Sequence, residues 1–316
     1  MPETLCCVCH QQPAVKYIGQ RPFCEEHYRA ATYERAGIWR SLLILLVAMA
    51  AFVGLVYVGM LVVQPVFTAT SLLVTGMLLA VVPALIWLAF FYQQDRVEPD
   101  PKGYVLGVFA LGGLLAAAIG QPLLDGVFRM SQWLYADTLT TLVGSILVVG
   151  FVQEFLKYAA VRYSIYTSPE FDEATDGVIY ATAAGLGYAT VLNLQFVVAS
   201  GGLDLTTGVI RMVVVALAQA SFAGITGYFL GRAKFESEPV WWMPLGLSLA
   251  ALANGVFTWL RGQVVQGGLS LSGSAANPWL GLLLAALVAG ATTGLVLWLT
   301  RRNIKSALDA PQGETA

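Results

Sequence analysis

Eight long apolar runs separated by short polar stretches account for most of this chain. They are Ser41–Val63, Ser71–Tyr92, Tyr104–Leu124, Thr138–Tyr163, Ala174–Ala199, Thr207–Gly231, Val240–Gln263 and Pro278–Thr300. As helices rising about 1.5 Å per residue, all are long enough to cross a hydrocarbon core of about 30 Å. The pattern predicts an all-α polytopic membrane protein, with a bundle of about eight transmembrane helices over residues 41–300. Pro83 predicts a kink in the second helix. Small residues four apart, at Ala181/Gly185/Ala189, Gly227/Gly231 and Gly290/Gly294, predict faces where helix backbones approach closely. Residues 307–316 carry Pro, Gly and Gln without periodicity and read as a disordered tail.

Composition agrees with lipid as the solvent. Of 316 residues, 57% are hydrophobic and 11% are charged, where soluble domains carry about 25% charge. A net charge of −2 gives no electrostatic case for nucleic acid as a partner. The first forty residues are polar and charged, without the early apolar core of a signal peptide. All four cysteines precede residue 25 and both histidines precede residue 28. The spans therefore contain no disulfide and no imidazole.

Residues 1–30 read as a separate module. Cys6-x2-Cys9 is followed, fourteen residues on, by Cys24-x2-His27, and two such knuckles supply four ligands at the spacing of a structural Zn²⁺ site. The intervening AVKYIGQRPF reads as a small hairpin turning at Gly19. Cys7-x2-His10 is an alternative first pair, with Cys6/Cys9 preferred because it offers two thiolates. A thirty-residue segment cannot bury a core alone, and a metal relieves that. Zinc-bound thiolates imply a reducing compartment, which places the amino terminus in the cytoplasm. An even number of spans returns the carboxy terminus to the same side. Charge agrees: fourteen Lys and Arg residues fall on that side, against Arg129, Arg211 and Arg261 near the other. Trp87, Tyr92, Trp133, Tyr135, Trp241, Trp242, Trp279 and Trp298 fall near span ends, where interfacial aromatic belts belong.

Polar residues inside the spans are the candidate chemistry. Glu154 and Lys157 are three apart, so on a helix they share a face and can pair. One reading puts that pair near the surface with Lys157 snorkelling to the interface. Another puts it inside the bundle, where Asn193, Gln195, Gln219, Ser221, Asn254 and Thr258 also lie. Such groups either bond helices to one another or line a wet cavity suited to hydrolysis of a transmembrane peptide.

The stretch from Phe151 to Asn193 carries a family resemblance. It contains Gln153-Glu154-Phe155-Leu156-Lys157, then Asp176-Gly177, Ala184-Gly185-Leu186-Gly187-Tyr188-Ala189 and Leu192-Asn193. Upstream lies Tyr92–Pro101, YQQDRVEPDP, and downstream Gly224–Arg232, GITGYFLGR. These segments resemble the PrsW family of intramembrane proteases, from roughly Leu78 to Leu260. The resemblance implies a catalytic set on a Glu-Glu pair, a Glu-Asn pair and two histidines on later helices. At these positions the chain carries Gln153-Glu154, Leu192-Asn193, Gln219 (before Ala220-Ser221-Phe222-Ala223-Gly224) and Asn254 (before Gly255). Lys157 and Asp176 would be supporting. One acid of each pair and both imidazoles are gone, and amides neither titrate nor hold Zn²⁺ well.

The expected function is accordingly that of a PrsW-like intramembrane protease homologue with a degraded catalytic set. It would bind transmembrane or membrane-proximal segments of partner proteins in the bacterial-type cytoplasmic membrane, among membrane lipids, and cut them weakly or not at all. The alternative is an active protease with Glu154 as general base. A carrier for small molecules is a third reading, disfavoured because no inverted repeat of broken helices is evident. Zn²⁺ in the amino-terminal cap is the expected cofactor, and a homo-oligomer is left open.

Overall fold

The computed structural model describes residues 4–7, 9, 11–18, 21–32, 38–94, 101–201, 205–266 and 277–309. His10, Gly19, the Asp95–Asp100 part of the polar loop, and residues 310–316 lie outside the described residues. Among the described residues the regular structure is helical apart from one antiparallel two-stranded sheet, β1 (Lys16–Ile18) and β2 (Arg21–Phe23), paired in the register Lys16 to Phe23. The helices are α1 (Glu25–Thr32), α2 (Ile38–Val63), α3 (Ala69–Gln94), α4 (Lys102–Leu115), α5 (Met130–Trp133), α6 (Thr138–Gly144), α7 (Phe151–Arg162), α8 (Ala174–Ala199), α9 (Leu205–Phe235), α10 (Trp242–Gln266) and α11 (Pro278–Asp309).

Among the described residues, eight helical stretches are long and apolar enough to cross a membrane. Two of them depart from simple α geometry. The third runs over Lys102–Trp133 and passes through π-helical segments at Ala116–Gly120 and Pro122–Val127. Sequence reading ends it at Leu124; the helix instead turns at Arg129, whose φ of 48° is left-handed. The fourth joins α6 to α7 through a π segment at Ser145–Gly150. Such segments add a residue to a turn and re-aim the side chains beyond them. The one at Ser145–Gly150 ends just before Gln153 and Glu154. α3 continues as one helix through Pro83.

α9 is the central post. Within its most apolar stretch 83% of residues are buried, against 22% for α2, which lies at the lipid-facing periphery. α8 runs along α9, and α4 runs along α8. The α8–α9 approach depends on absent side chains. A Cβ on Gly177 would strike the backbone oxygen of Gly227, and one on Gly227 would strike that of Gly177. The small-residue spacing Gly227/Gly231 thus marks a true backbone contact. Gly290 and Gly294 instead face Leu46 of α2 and Trp39.

Trp87 corrects the aromatic-belt reading. It is fully buried and stacks edge-on against Phe90, 6.5 Å between ring centroids, in the main apolar cluster. Its place, two turns inside α3, makes it core. Tyr135, Trp241, Trp279 and Trp298 are exposed as interfacial residues should be.

Candidate functional site

Four helices converge on one buried polar cluster. α7 contributes Gln153, Glu154 and Lys157, which fall on one face because they are one, three and four positions apart. α9 contributes Gln219, α10 contributes Asn254, and α8 brings the ring of Tyr188. Glu154 and Lys157 are both 0% exposed, and Lys157 Nζ lies 2.6 Å from Glu154 Oε1. Lys157 therefore does not snorkel. Its ammonium also reaches the carbonyl of Gln219 at 3.5 Å and sits 5.7 Å from the Tyr188 ring centroid, within cation–π range. Pairing is what makes two such charges tolerable away from water.

The amides complete the cluster. Asn254 Nδ2 donates to Glu154 Oε1 at 2.7 Å and to Gln153 Oε1 at 3.1 Å. Gln219 Nε2 donates to the same Gln153 oxygen at 2.8 Å. Gln153 Oε1 is thus the point where α7, α9 and α10 meet. Two acceptor atoms at the centre, Glu154 Oε2 and Gln219 Oε1, are buried with no hydrogen-bond partner. Close packing holds the arrangement. A Cβ on Gly255 would collide with Ile146 backbone, and one on Gly150 with the carbonyl of Ala251. α10 can therefore lie directly on the π segment, which puts Asn254 against α7.

The other two candidates stand elsewhere. Asn193 is buried, but its Nδ2 donates to the carbonyl of Met212 at 3.1 Å, tying α8 to α9. The carboxylate of Asp176 accepts from the backbone N–H groups of Asp172 at 2.8 Å and Glu173 at 2.7 Å, and closes a capping box at the start of α8. That is a helix-start role. Sequence reasoning missed Gln153 as a hub and Tyr188 as a wall. An amide adjoining Glu154 in an apolar run was the available signal for the first, since a buried amide needs partners.

The second cluster is at the amino terminus. The ligand atoms of Cys6, Cys9, Cys24 and His27 all lie within 4.8 Å of one another. His27 Nδ1 is 3.0 Å from Cys24 Sγ and 3.7 Å from Cys6 Sγ. Three thiols and an imidazole are the donor set of a closed tetrahedral Zn²⁺ site, and the 3.7 Å between Cys6 and His27 matches the separation of about 3.5–3.8 Å expected between its ligands, with the Cys24–His27 pair closer. The short sheet delivers it: Cys24 directly follows β2, His27 lies in the first turn of α1, and the backbone N–H of Cys7 bonds the carbonyl of Pro22 at 2.8 Å. β1 lies against α11.

Comparison with known proteins decides the family. Residues 100–275 match the family described as PrsW family intramembrane metalloprotease. The chain belongs to the PrsW family. It is 29% identical to Protease PrsW of Geobacillus kaustophilus over 57% of this chain and 76% of that protein. It is 27% identical to Protease PrsW of Bacillus subtilis over 57% of this chain and 79% of that one. No solved structure matches. This PrsW homologue is a multi-pass bacterial membrane protein, and its cysteine–histidine cap precedes the matched residues.

The family description implies a metal in the membrane, and the cluster around Glu154 does not fit one. It offers a single carboxylate whose Oε1 already receives an ammonium and an amide. Its remaining side chains are amides, and no histidine occurs beyond His27. Divalent cations of the hydrolytic kind take imidazole, thiolate or several carboxylates, and Lys157 puts a positive charge where the ion would stand.

Proposed function

We propose that this chain is a PrsW-family homologue in which the intramembrane catalytic set has been neutralised, so that it binds transmembrane or membrane-proximal segments of partner proteins and cuts them weakly or not at all. One observation carries the reading. Three of the positions where the family resemblance expects a reacting acid and two imidazoles hold Gln153, Gln219 and Asn254, and these meet at a single oxygen. The meeting point of a catalytic centre is kept, while the groups that move protons are replaced by groups that only hydrogen-bond. Glu154 remains, held by Lys157 and Asn254.

A second reading rests on Glu154 Oε2. That atom is buried and unpartnered, as is Gln219 Oε1 in the same cluster. A water bound to Glu154 Oε2 would be oriented by the carboxylate, which could accept its proton while an amide N–H steadies the carbonyl under attack. A purified-protein assay on single-span peptides, wild type beside Glu154→Gln and beside Glu154→Gln/Lys157→Met, which leaves no buried charge stranded, separates the two once each protein is shown to be folded by circular dichroism. The neutralised site gives no cleavage that depends on Glu154, together with retained binding of the segment by all three proteins. Robust cleavage by wild type that vanishes in the two folded variants would overturn it.

The proposal extends to the cap and the orientation. Cys6, Cys9, Cys24 and His27 would hold one structural Zn²⁺ with no open position for substrate. Both termini and the loop around Glu98 would be cytoplasmic, as the basic residues imply.

A further inference from the structure

The hydroxyl of Tyr188 is buried at mid-depth and makes no hydrogen bond. By helical rise this residue stands about 21 Å from the start of α8 and about 16 Å from its end. Side chains lean toward the start of their helix, which brings the phenol toward the level of Glu154. Contacts fix its place. A Cβ on Gly120 of the third crossing would strike the hydroxyl, and the same Cβ would come within 3.2 Å of Leu156 Cδ1 on α7. The phenol therefore ends between the third crossing and α7.

Two further atoms of the cluster are left over, Glu154 Oε2 and Gln219 Oε1. Their residues and Tyr188 surround one ammonium: Lys157 Nζ is 2.6 Å from Glu154 Oε1, 3.5 Å from the Gln219 carbonyl and 5.7 Å from the Tyr188 ring centroid. The unused set is thus one O–H donor and two acceptors, and leaving such groups unbonded away from water is costly. The complementary chemistry is a group with one acceptor and two N–H donors, which is a carboxamide. The Glu154–Lys157 pair is neutral as a unit, so a neutral group adds no further buried charge. A transmembrane helix bonds its own peptide groups internally, so what it has to offer is a side chain.

We propose that the cluster binds the side-chain amide of an Asn or Gln carried at mid-depth by a transmembrane segment of a partner protein. Its carbonyl accepts from the Tyr188 hydroxyl, and its NH₂ donates to Glu154 Oε2 and Gln219 Oε1. The approach is along the fourth crossing, where a cleft is lined by Trp133, Leu139, Val143, Leu147 and Val148. Val148 also packs on the apolar cluster that holds Val152, Leu156 and Tyr188. It lies fourteen residues before Arg162, about 21 Å in and so level with Tyr188. The inference rests on the binding function proposed above and names the chemistry that the bound segment presents.

The test uses the full chain in phosphatidylcholine nanodiscs, with labelled single-span peptides at less than one per disc: an all-Leu span, the same span with one central Asn, and the same span with a central Pro. Energy transfer should show the Asn span bound about tenfold more tightly than the all-Leu span, as two or three interhelical hydrogen bonds predict. Tyr188→Phe removes the phenolic donor alone. It should lower the preference for Asn about threefold, while the Tm without peptide stays the same or rises, because the lost hydroxyl had no partner. A lower Tm would show the hydroxyl bonded within the protein, for instance to Gln121, and overturns the inference. An Asn preference that survives Tyr188→Phe intact places the amide elsewhere and overturns it as well. Equal binding of the Asn and all-Leu spans shows that water meets these atoms; it overturns the inference and leaves the binding function standing. Tightest binding of the Pro span reassigns the atoms to a peptide group freed from its helix. Failure of every span to bind defeats the inference and the binding function together.

Discussion

Asn254 Nδ2 donates to Glu154 Oε1 at 2.7 Å, joining residues one hundred positions apart on α10 and α7. The same oxygen accepts from Lys157 Nζ at 2.6 Å. One carboxylate oxygen thus carries an ion pair and an interhelical bond, while the other carries none. The substitutions that matter most around this group are those that leave a charge behind.

Removing either member of the Glu154–Lys157 pair alone should destabilise the bundle by about 3–5 kcal/mol, because the remaining charge is buried without a partner. Glu154→Gln strands the ammonium, and Lys157→Met strands the carboxylate. Glu154→Gln/Lys157→Met removes both and should cost less than the sum of the singles. Unfolding of the purified protein in mild detergent, followed for all four proteins, gives the coupling. Additive losses would show that the two side chains do not depend on one another.

How much of this was legible in the sequence follows from distance along the chain. The Glu154–Lys157 pair is local, and helical spacing alone places both on one face. The eight helices are legible because lipid demands about twenty apolar residues for each crossing. The convergence of Gln153, Gln219 and Asn254 could be approached only through resemblance, because no local rule says which faces of α7, α9 and α10 meet. Asn193 has similar depth and chemistry yet bonds Met212, since depth fixes the height of a residue in the bundle and leaves its azimuth open. The π segment at Ser145–Gly150 that aims α7 has no sequence signature of the kind a proline gives.

Metal removal should unfold the cap and leave the membrane helices in place. The four ligands come from a strand end, a knuckle and one short helix, in a segment too small to be stable without them. Wild type should contain one zinc per chain. Replacing Cys24 with Ser should abolish the zinc and expose β1 and β2 to proteolysis, with helical content nearly unchanged by circular dichroism. Metal content near zero in the intact wild-type protein, or a disulfide among Cys6, Cys9 and Cys24, defeats this prediction.

Topology is tested by chemistry at single positions. In a background with the native cysteines replaced, Glu98→Cys should react with a membrane-permeant maleimide and resist an impermeant one in intact cells. Tyr135→Cys, on the turn between the third and fourth crossings, should react with both. The opposite pattern would invert the whole chain, because all eight crossings are linked.

The final prediction asks whether the scaffold still remembers a metal. In wild type, Gln219 Nε2 and Asn254 Nδ2 lie 2.8 and 3.1 Å from Gln153 Oε1. Neighbouring ligands of one divalent ion are separated by about 3–3.5 Å when each bond is about 2.0–2.1 Å. Amide groups at these positions therefore already stand at ligand spacing, and what they lack is donor chemistry. The variant Gln153→Glu/Gln219→His/Asn254→His supplies a second carboxylate and two imidazoles beside Glu154. It should raise the metal content of the full chain from one per molecule to two. With Co²⁺, the second ion should show no thiolate charge-transfer band, since it would be bound by oxygen and nitrogen alone, whereas the cap should show one. Adding Lys157→Met should strengthen the second site if the ammonium is what repels the ion, by an amount that grows as ionic strength falls. A triple variant that folds, keeps its cap metal and takes up no second ion would mean that α9 and α10 no longer present these positions as a site, and that the neutral cluster serves only to join the helices.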